Sequence, residues 1–86
     1  MADSFDDRVE ATTRLLLETC RQREMRLSGD LAVSENDAAD LLGYASGDAL
    51  RKQVSESVCR IPYRLLGNRR LYRIRDLAAE IERTYG

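Results

Sequence analysis

The chain has 86 residues, 43% hydrophobic and 34% charged, with no histidine and a formal net charge of −1, the composition of a soluble globular protein and the length of one small domain, 1–86. Its longest aliphatic run, Leu15 to Leu17, is far below the ~18 apolar residues of a membrane span, and the acidic opening MADSFDDR is the reverse of a basic signal-peptide start, so neither membrane insertion nor export is expected. Cys20 and Cys59 are too few for a disulfide scaffold and, without histidine, make no zinc set; the expectation is reduced, partly buried thiols in a cytoplasmic protein with no metal and no cofactor.

Ser4 followed by Asp7 reads as a capped helix start. Phe5, Val9, Thr12, Leu16 and Cys20 then recur at near-helical spacing, with Leu15 and Leu17 widening the apolar stripe. The first predicted element is therefore a long N-terminal helix over 4–26, ended by Ser28-Gly29. Its expected task is to lie across the rest of the domain, with self-association as the sharper alternative.

Leu31-Ala32-Val33 is too short for a free strand but suits pairing with a later hairpin. Ser34 caps a second helix, with Asp37 three residues on, Ala38, Leu41 and Leu42 facing inward and Gly43 as the stop. Small Ala38 and Ala39 permit the close approach that a tight helix pair needs. Ser46 caps a third helix over 47–57, with Leu50 and Val54 as its buried stripe. Asp48, Arg51, Lys52 and Ser55 are then left toward solvent or a groove. Pro62 ends helical tendency and favours an extended Ile61. The segments 63–66 and 69–74 flank Gly67-Asn68, a two-residue loop suited to a hairpin turn with positive φ. Their alternation is imperfect, so the inward faces stay open. Asp76 caps or opens a last helix in which Leu77, Ala78 and Ile81 pack inward.

Charge is unevenly divided. Residues 1–40 carry ten acidic and five basic side chains, residues 41–86 five acidic and nine basic ones. Because salt screens fields beyond ~10 Å, a local cationic footprint matters more than the total. The bland alternative is two solvated surfaces.

In their order, these segments resemble the excisionase-like winged helix-turn-helix family, related to the DNA-binding domains of mercury-resistance-type regulators. The residues that carry the resemblance are Leu31 to Val33, Ala38-Ala39, Leu41-Leu42-Gly43, Leu50-Arg51, Ile61-Pro62, Gly67-Asn68-Arg69-Arg70 and Asp76-Leu77, within a core of 31–82. The resemblance implies a mainly α fold with a small β-hairpin wing, here preceded by a long N-terminal helix. The turn at 44–48 is about one residue longer than the shortest family version, and the acidic first helix lies outside the family pattern.

The expected contacts with double-stranded DNA follow from residue chemistry. Arg51 and Lys52 of the third helix are assigned to the major groove, Arg51 as a bidentate partner of guanine and Lys52 to phosphate. Ser46 and Ser55 are hydrogen-bonding partners of backbone or base. Asp48 would meet phosphates unfavourably unless it accepts from a cytosine amino group. Arg69 and Arg70 at the wing tip suit a narrow, electronegative minor groove, and Arg64 and Arg73 suit phosphates on the wing's flanks. The assignment requires Arg51, Lys52, Arg69 and Arg70 to share one exposed side, clear of acidic neighbours. Arg51 has a plainer reading as the surface partner of Glu56 or Asp48, and Arg69 and Arg70 as charges that blunt a hairpin edge. Tyr44, Tyr63 and Tyr72 stack on bases in a single-strand binder or, as favoured here, pack in the core.

No catalytic constellation is present, so an enzyme is not expected. The leading expectation is a small sequence-specific DNA-binding protein of phage or mobile-element type, an architectural excisionase-like factor or a transcriptional regulator. The alternatives are a terminase small-subunit-type reader of packaging DNA and a protein-interaction module on a winged-helix scaffold. A homodimer or a protein partner is expected to use the N-terminal helix; no membrane and no small-molecule ligand is indicated.

Overall fold

The computed structural model describes residues 4–56 and 60–85. Four helices and a small antiparallel sheet follow in chain order: α1 (Phe5–Gln22), β1 (Ala32–Ser34), α2 (Glu35–Leu42), α3 (Gly47–Ser55), β2 (Arg64–Leu66), β3 (Arg69–Arg73) and α4 (Ile74–Thr84). The protein is mainly helical, and its three strands lie in the order β1-β3-β2.

Ser4 caps α1 as expected, its hydroxyl accepting from the Asp7 amide. The helix stops at Gln22, four residues short of the predicted end. Its last turn closes in a Schellman arrangement: the Met25 amide donates to Cys20 O at 2.9 Å and the Glu24 amide to Arg21 O at 3.2 Å. This geometry puts Glu24 at φ 54°, in the left-handed region where glycine is usual. The stop is therefore not Ser28-Gly29. It is written in backbone geometry that a glutamate occupies under strain.

Val9, Leu16 and Cys20 form the buried side of α1, against α4. Thr12 donates to Glu82 Oε2 at 2.8 Å, and Arg8 pairs with the same carboxylate at 3.3 Å. Leu15 does not widen the stripe as expected. It is 65% exposed, because at one residue before Leu16 it lies about 100° around the helix from the buried side.

Ser34 ends β1 and caps α2, and Gly43 stops α2 at φ 90°. Ser46 caps α3 by accepting from the Ala49 amide. Gly47 opens α3 against α2 so closely that a Cβ there would fall 1.8 Å from Asn36 Oδ1 and 3.2 Å from Asn36 Cα. Ala38 and Ala39 are fully buried, consistent with a tight helix pair, while Leu41 and Leu42 are half-buried. The expected reach of α3 to Ser57, and the thiol of Cys59, lie outside the described residues.

The hairpin forms over Gly67-Asn68, with positive φ at Gly67 alone of the two. Arg64 pairs with Leu71 and Leu66 with Arg69; on the other edge of β3, Val33 pairs with Tyr72. Paired residues point to one side and alternate residues share it. Val33, Tyr72, Arg70 and Leu65 thus belong to the inner face, and Arg69, Leu71 and Arg73 to the outer one. The core cluster joins Val33, Tyr72, Leu50, Ile61, Ile74 and Leu77 to the buried side of α1. Tyr72 is fully buried, but Tyr63 is 44% exposed, contrary to the expected core position. Asp76 lies in the first turn of α4, where it accepts from Arg73 Nε at 2.8 Å. No helix among the described residues is long and apolar enough to cross a membrane.

Candidate nucleic-acid interface

An open groove of about 450 Å³ lies between the start of α2, the middle of α3 and the hairpin. It is lined by Ser34, Glu35, Asn36, Arg51, Asn68, Arg69 and Arg70. Three arginines, two asparagines, a serine and one glutamate thus line it. Each has a local cause. The cap at Ser34 aims the first turn of α2 at the groove; one turn into α3, Arg51 lies next to Leu50, which anchors the helix in the core; the tight Gly67-Asn68 turn brings β3 back beneath both.

The carboxylate is the residue that sequence reasoning missed. Glu35 is the first residue of α2 and is only 8% exposed. Its Oε1 accepts from Arg51 Nε at 3.0 Å, while its Oε2 accepts from the Tyr72 hydroxyl at 2.8 Å and from Arg70 Nη1 at 3.4 Å. A buried carboxylate is tolerated only when paired and hydrogen-bonded, and here three donors from two other elements do so. The partners lie 16, 35 and 37 residues away in the chain, so no local spacing announces them.

The expectation that all four cations share one exposed side clear of acidic neighbours is not met: carboxylates hold Arg51 and Arg70, and only Lys52 and Arg69 stand clear of them among the described residues. Arg51 is held by Glu35 and, through Nη1, by Asp48 at 3.1 Å. The Asp48 contact is the plainer reading weighed from sequence, at helical i,i+3 spacing. Arg70 is no wing-tip charge. Strand alternation turns it to the inner face, where its guanidinium lies 5.2 Å over the Tyr63 ring and its side chain is 25% exposed. Contact with Tyr63, ahead of the Glu35 charge, holds the Arg70 pKa above its ordinary value. Lys52 and Arg69 are exposed and make no ion pair with any described residue.

Of the remaining candidates, Ser46 has its hydroxyl oxygen engaged as the α3 cap, Ser55 ends α3 in solvent, and Asp48 is 86% exposed and paired with Arg51. Arg64 and Arg73 lie on the outer face, away from the groove. Both stay exposed there while each meets a carboxylate: Asp30 at 3.5 Å from Arg64 and Asp76 at 2.8 Å from Arg73. The structure thus gathers Arg51, Arg69 and Arg70 about one groove, keeps Lys52 beside it on α3, and separates Arg64 and Arg73.

One signal was legible and broader than any single residue. Between Glu56 and Asp76 the chain carries six arginines and no carboxylate. The hairpin therefore has no acid of its own and takes its counter-charges from Asp30, Glu35 and Asp76.

No family model, curated protein or solved structure matches the chain.

Proposed function

We propose that this protein is a small sequence-specific reader of double-stranded DNA, with α3 as the recognition helix and the β2–β3 hairpin as the wing of an excisionase-like winged helix-turn-helix. The observation that carries the reading is the groove between them. There Arg51, Arg69 and Arg70 line the groove with one carboxylate among the described lining residues, Glu35, beside Asn36 and Asn68, while Asp48 pairs with Arg51. A cationic concavity with amide donors and acceptors suits phosphate oxygens together with base edges.

Three further features support it. The helix pair α2–α3 is closed by a turn ending in Ser46, the sheet has the order β1-β3-β2, and the arginine-rich segment free of carboxylates is the hairpin itself. Lys52 and Arg69, without carboxylate partners among the described residues, are the sequence-independent phosphate contacts. Arg51, with Nε and Nη1 committed, offers its remaining guanidinium donors to a base. An architectural or transcriptional role in a phage or mobile element, in the host cytoplasm and with no catalytic step, follows from this reading.

In vitro selection from a random duplex pool tests it. A recovered consensus whose preference at one position is lost in Arg51→Ala supports the assignment; recovery of no enriched sequence overturns sequence-specific reading.

A second reading is favoured by one observation. Leu15 stands 65% exposed on α1, beyond what the contact with α4 requires. A protein-interaction module would use that surface. Leu15→Ser leaving the oligomeric state and partner binding unchanged would remove this reading.

A further inference from the structure

The geometry points to Glu35 as a positioning residue that makes α3 and the hairpin read DNA as one unit. The inference rests on the DNA-binding reading above and adds to it the source of its specificity. Glu35 need not touch DNA to act. It sits at the start of α2, and its two oxygens hold a guanidinium of α3 and a guanidinium of β3 at the same time.

Two guanidinium groups of like charge, on elements that are not consecutive in the chain, would repel each other if left unneutralised. The shared carboxylate reverses that tendency and sets their separation. The Tyr72 hydroxyl then fixes the carboxylate itself, since Tyr72 is fully buried in the register of β1 and β3. The chain of contacts runs from the sheet core through Tyr72 and Glu35 to Arg51 and Arg70, which face the groove. A base-reading arginine discriminates only if its donors are held in place. By taking Nε of Arg51, Glu35 restricts which edge of that guanidinium reaches a base.

Among the described residues, Glu35 also carries the only carboxylate lining the groove. It therefore opposes indiscriminate phosphate binding, and its charge trades affinity for any duplex against discrimination among duplexes.

The test compares wild type, Glu35→Gln and Tyr72→Phe on the duplex recovered by selection and on a scrambled duplex of equal length. Glu35→Gln keeps the side-chain volume and removes the charge. The expected result is a rise of several-fold in affinity for scrambled duplex and a salt slope steeper by about one, as for one added phosphate contact. The ratio of selected to scrambled affinity should fall at least tenfold. Tyr72→Phe, which leaves every charge in place, should lower that ratio without raising scrambled affinity. A merely structural carboxylate would weaken both duplexes in proportion, and an unchanged ratio in Glu35→Gln overturns the inference while leaving DNA binding intact.

Thermal midpoints of Arg51→Ala, Arg70→Ala and the double variant give an arm that does not depend on DNA. Coupling through one carboxylate makes the two shifts non-additive in wild type and additive in the Glu35→Gln background. Additivity in both backgrounds overturns the inference. Absence of duplex binding by wild type would remove the DNA reading and the specificity claim with it, and is distinguished by that first measurement.

Discussion

The Tyr72 hydroxyl donates to Glu35 Oε2 at 2.8 Å, joining a fully buried tyrosine of β3 to a nearly buried carboxylate at the start of α2. A hydrogen bond to a buried charge is worth more than a neutral one, because a carboxylate that has lost its water depends on the protein donors that replace it. Tyr72→Phe keeps the ring, which also lies 5.9 Å from Tyr63. The expected cost is about 1.5–3 kcal/mol, read as a lower denaturant midpoint at unchanged m-value.

Glu24 gives the opposite expectation. It holds the left-handed position that closes the end of α1, which costs an L-residue roughly 1–2 kcal/mol. Glycine relieves that strain but adds freedom to the unfolded chain. Glu24→Gly should therefore stabilise by about 0.5–1 kcal/mol net, seen as a raised thermal midpoint.

At Gly47 space is the constraint. A methyl group would overlap the Asn36 side chain at 1.8 Å and crowd Asn36 Cα at 3.2 Å, so α2 and α3 must part as well as the amide rotate. Gly47→Ala is expected to destabilise by about 1–3 kcal/mol, as overpacking does. In Gly47→Ala with Asn36→Ala, part of that loss should return, because only the amide clash is relieved.

Cys20 supplies a pH dependence. Burial chiefly, and the nearby Asp37 charge secondarily, push its thiol pKa above the ordinary value. The folded state therefore favours the protonated thiol. Its contribution to stability is complete below the pKa of the unfolded thiol and is lost as pH rises through that value toward the folded one. Denaturation midpoints between neutral and alkaline pH should fall more steeply for wild type than for Cys20→Ala, which starts lower because of the cavity it leaves. Equal slopes would contradict this.

The helices were legible because their signals are local. Ser4, Ser34 and Ser46 cap helices through side chains that reach amides three residues on, and Gly43 ends α2 in a conformation glycine adopts freely. The hairpin was legible from Gly67-Asn68, and the pairing of Ala32 to Ser34 with β3 followed once the hairpin was placed. The end of α1 was not, since Glu24 occupies a glycine-like conformation against its own preference. The site was half legible. Composition showed a cationic second half, and the helix and hairpin patterns with the family resemblance singled out Arg51, Lys52, Arg69 and Arg70, but their division by Glu35 depends on strand alternation and on contacts across 16 and 35 residues. Only the assembled fold brings those groups together.

The most direct measurement is the salt dependence of duplex binding by wild type and by Lys52→Ala with Arg69→Ala. A few neutralised phosphates give a log–log slope of roughly −2 to −4 for wild type. Removal of two phosphate contacts should flatten the slope by about two and weaken selected and scrambled duplexes alike. A flat wild-type slope, or no duplex binding at low ionic strength, would contradict a DNA-reading groove.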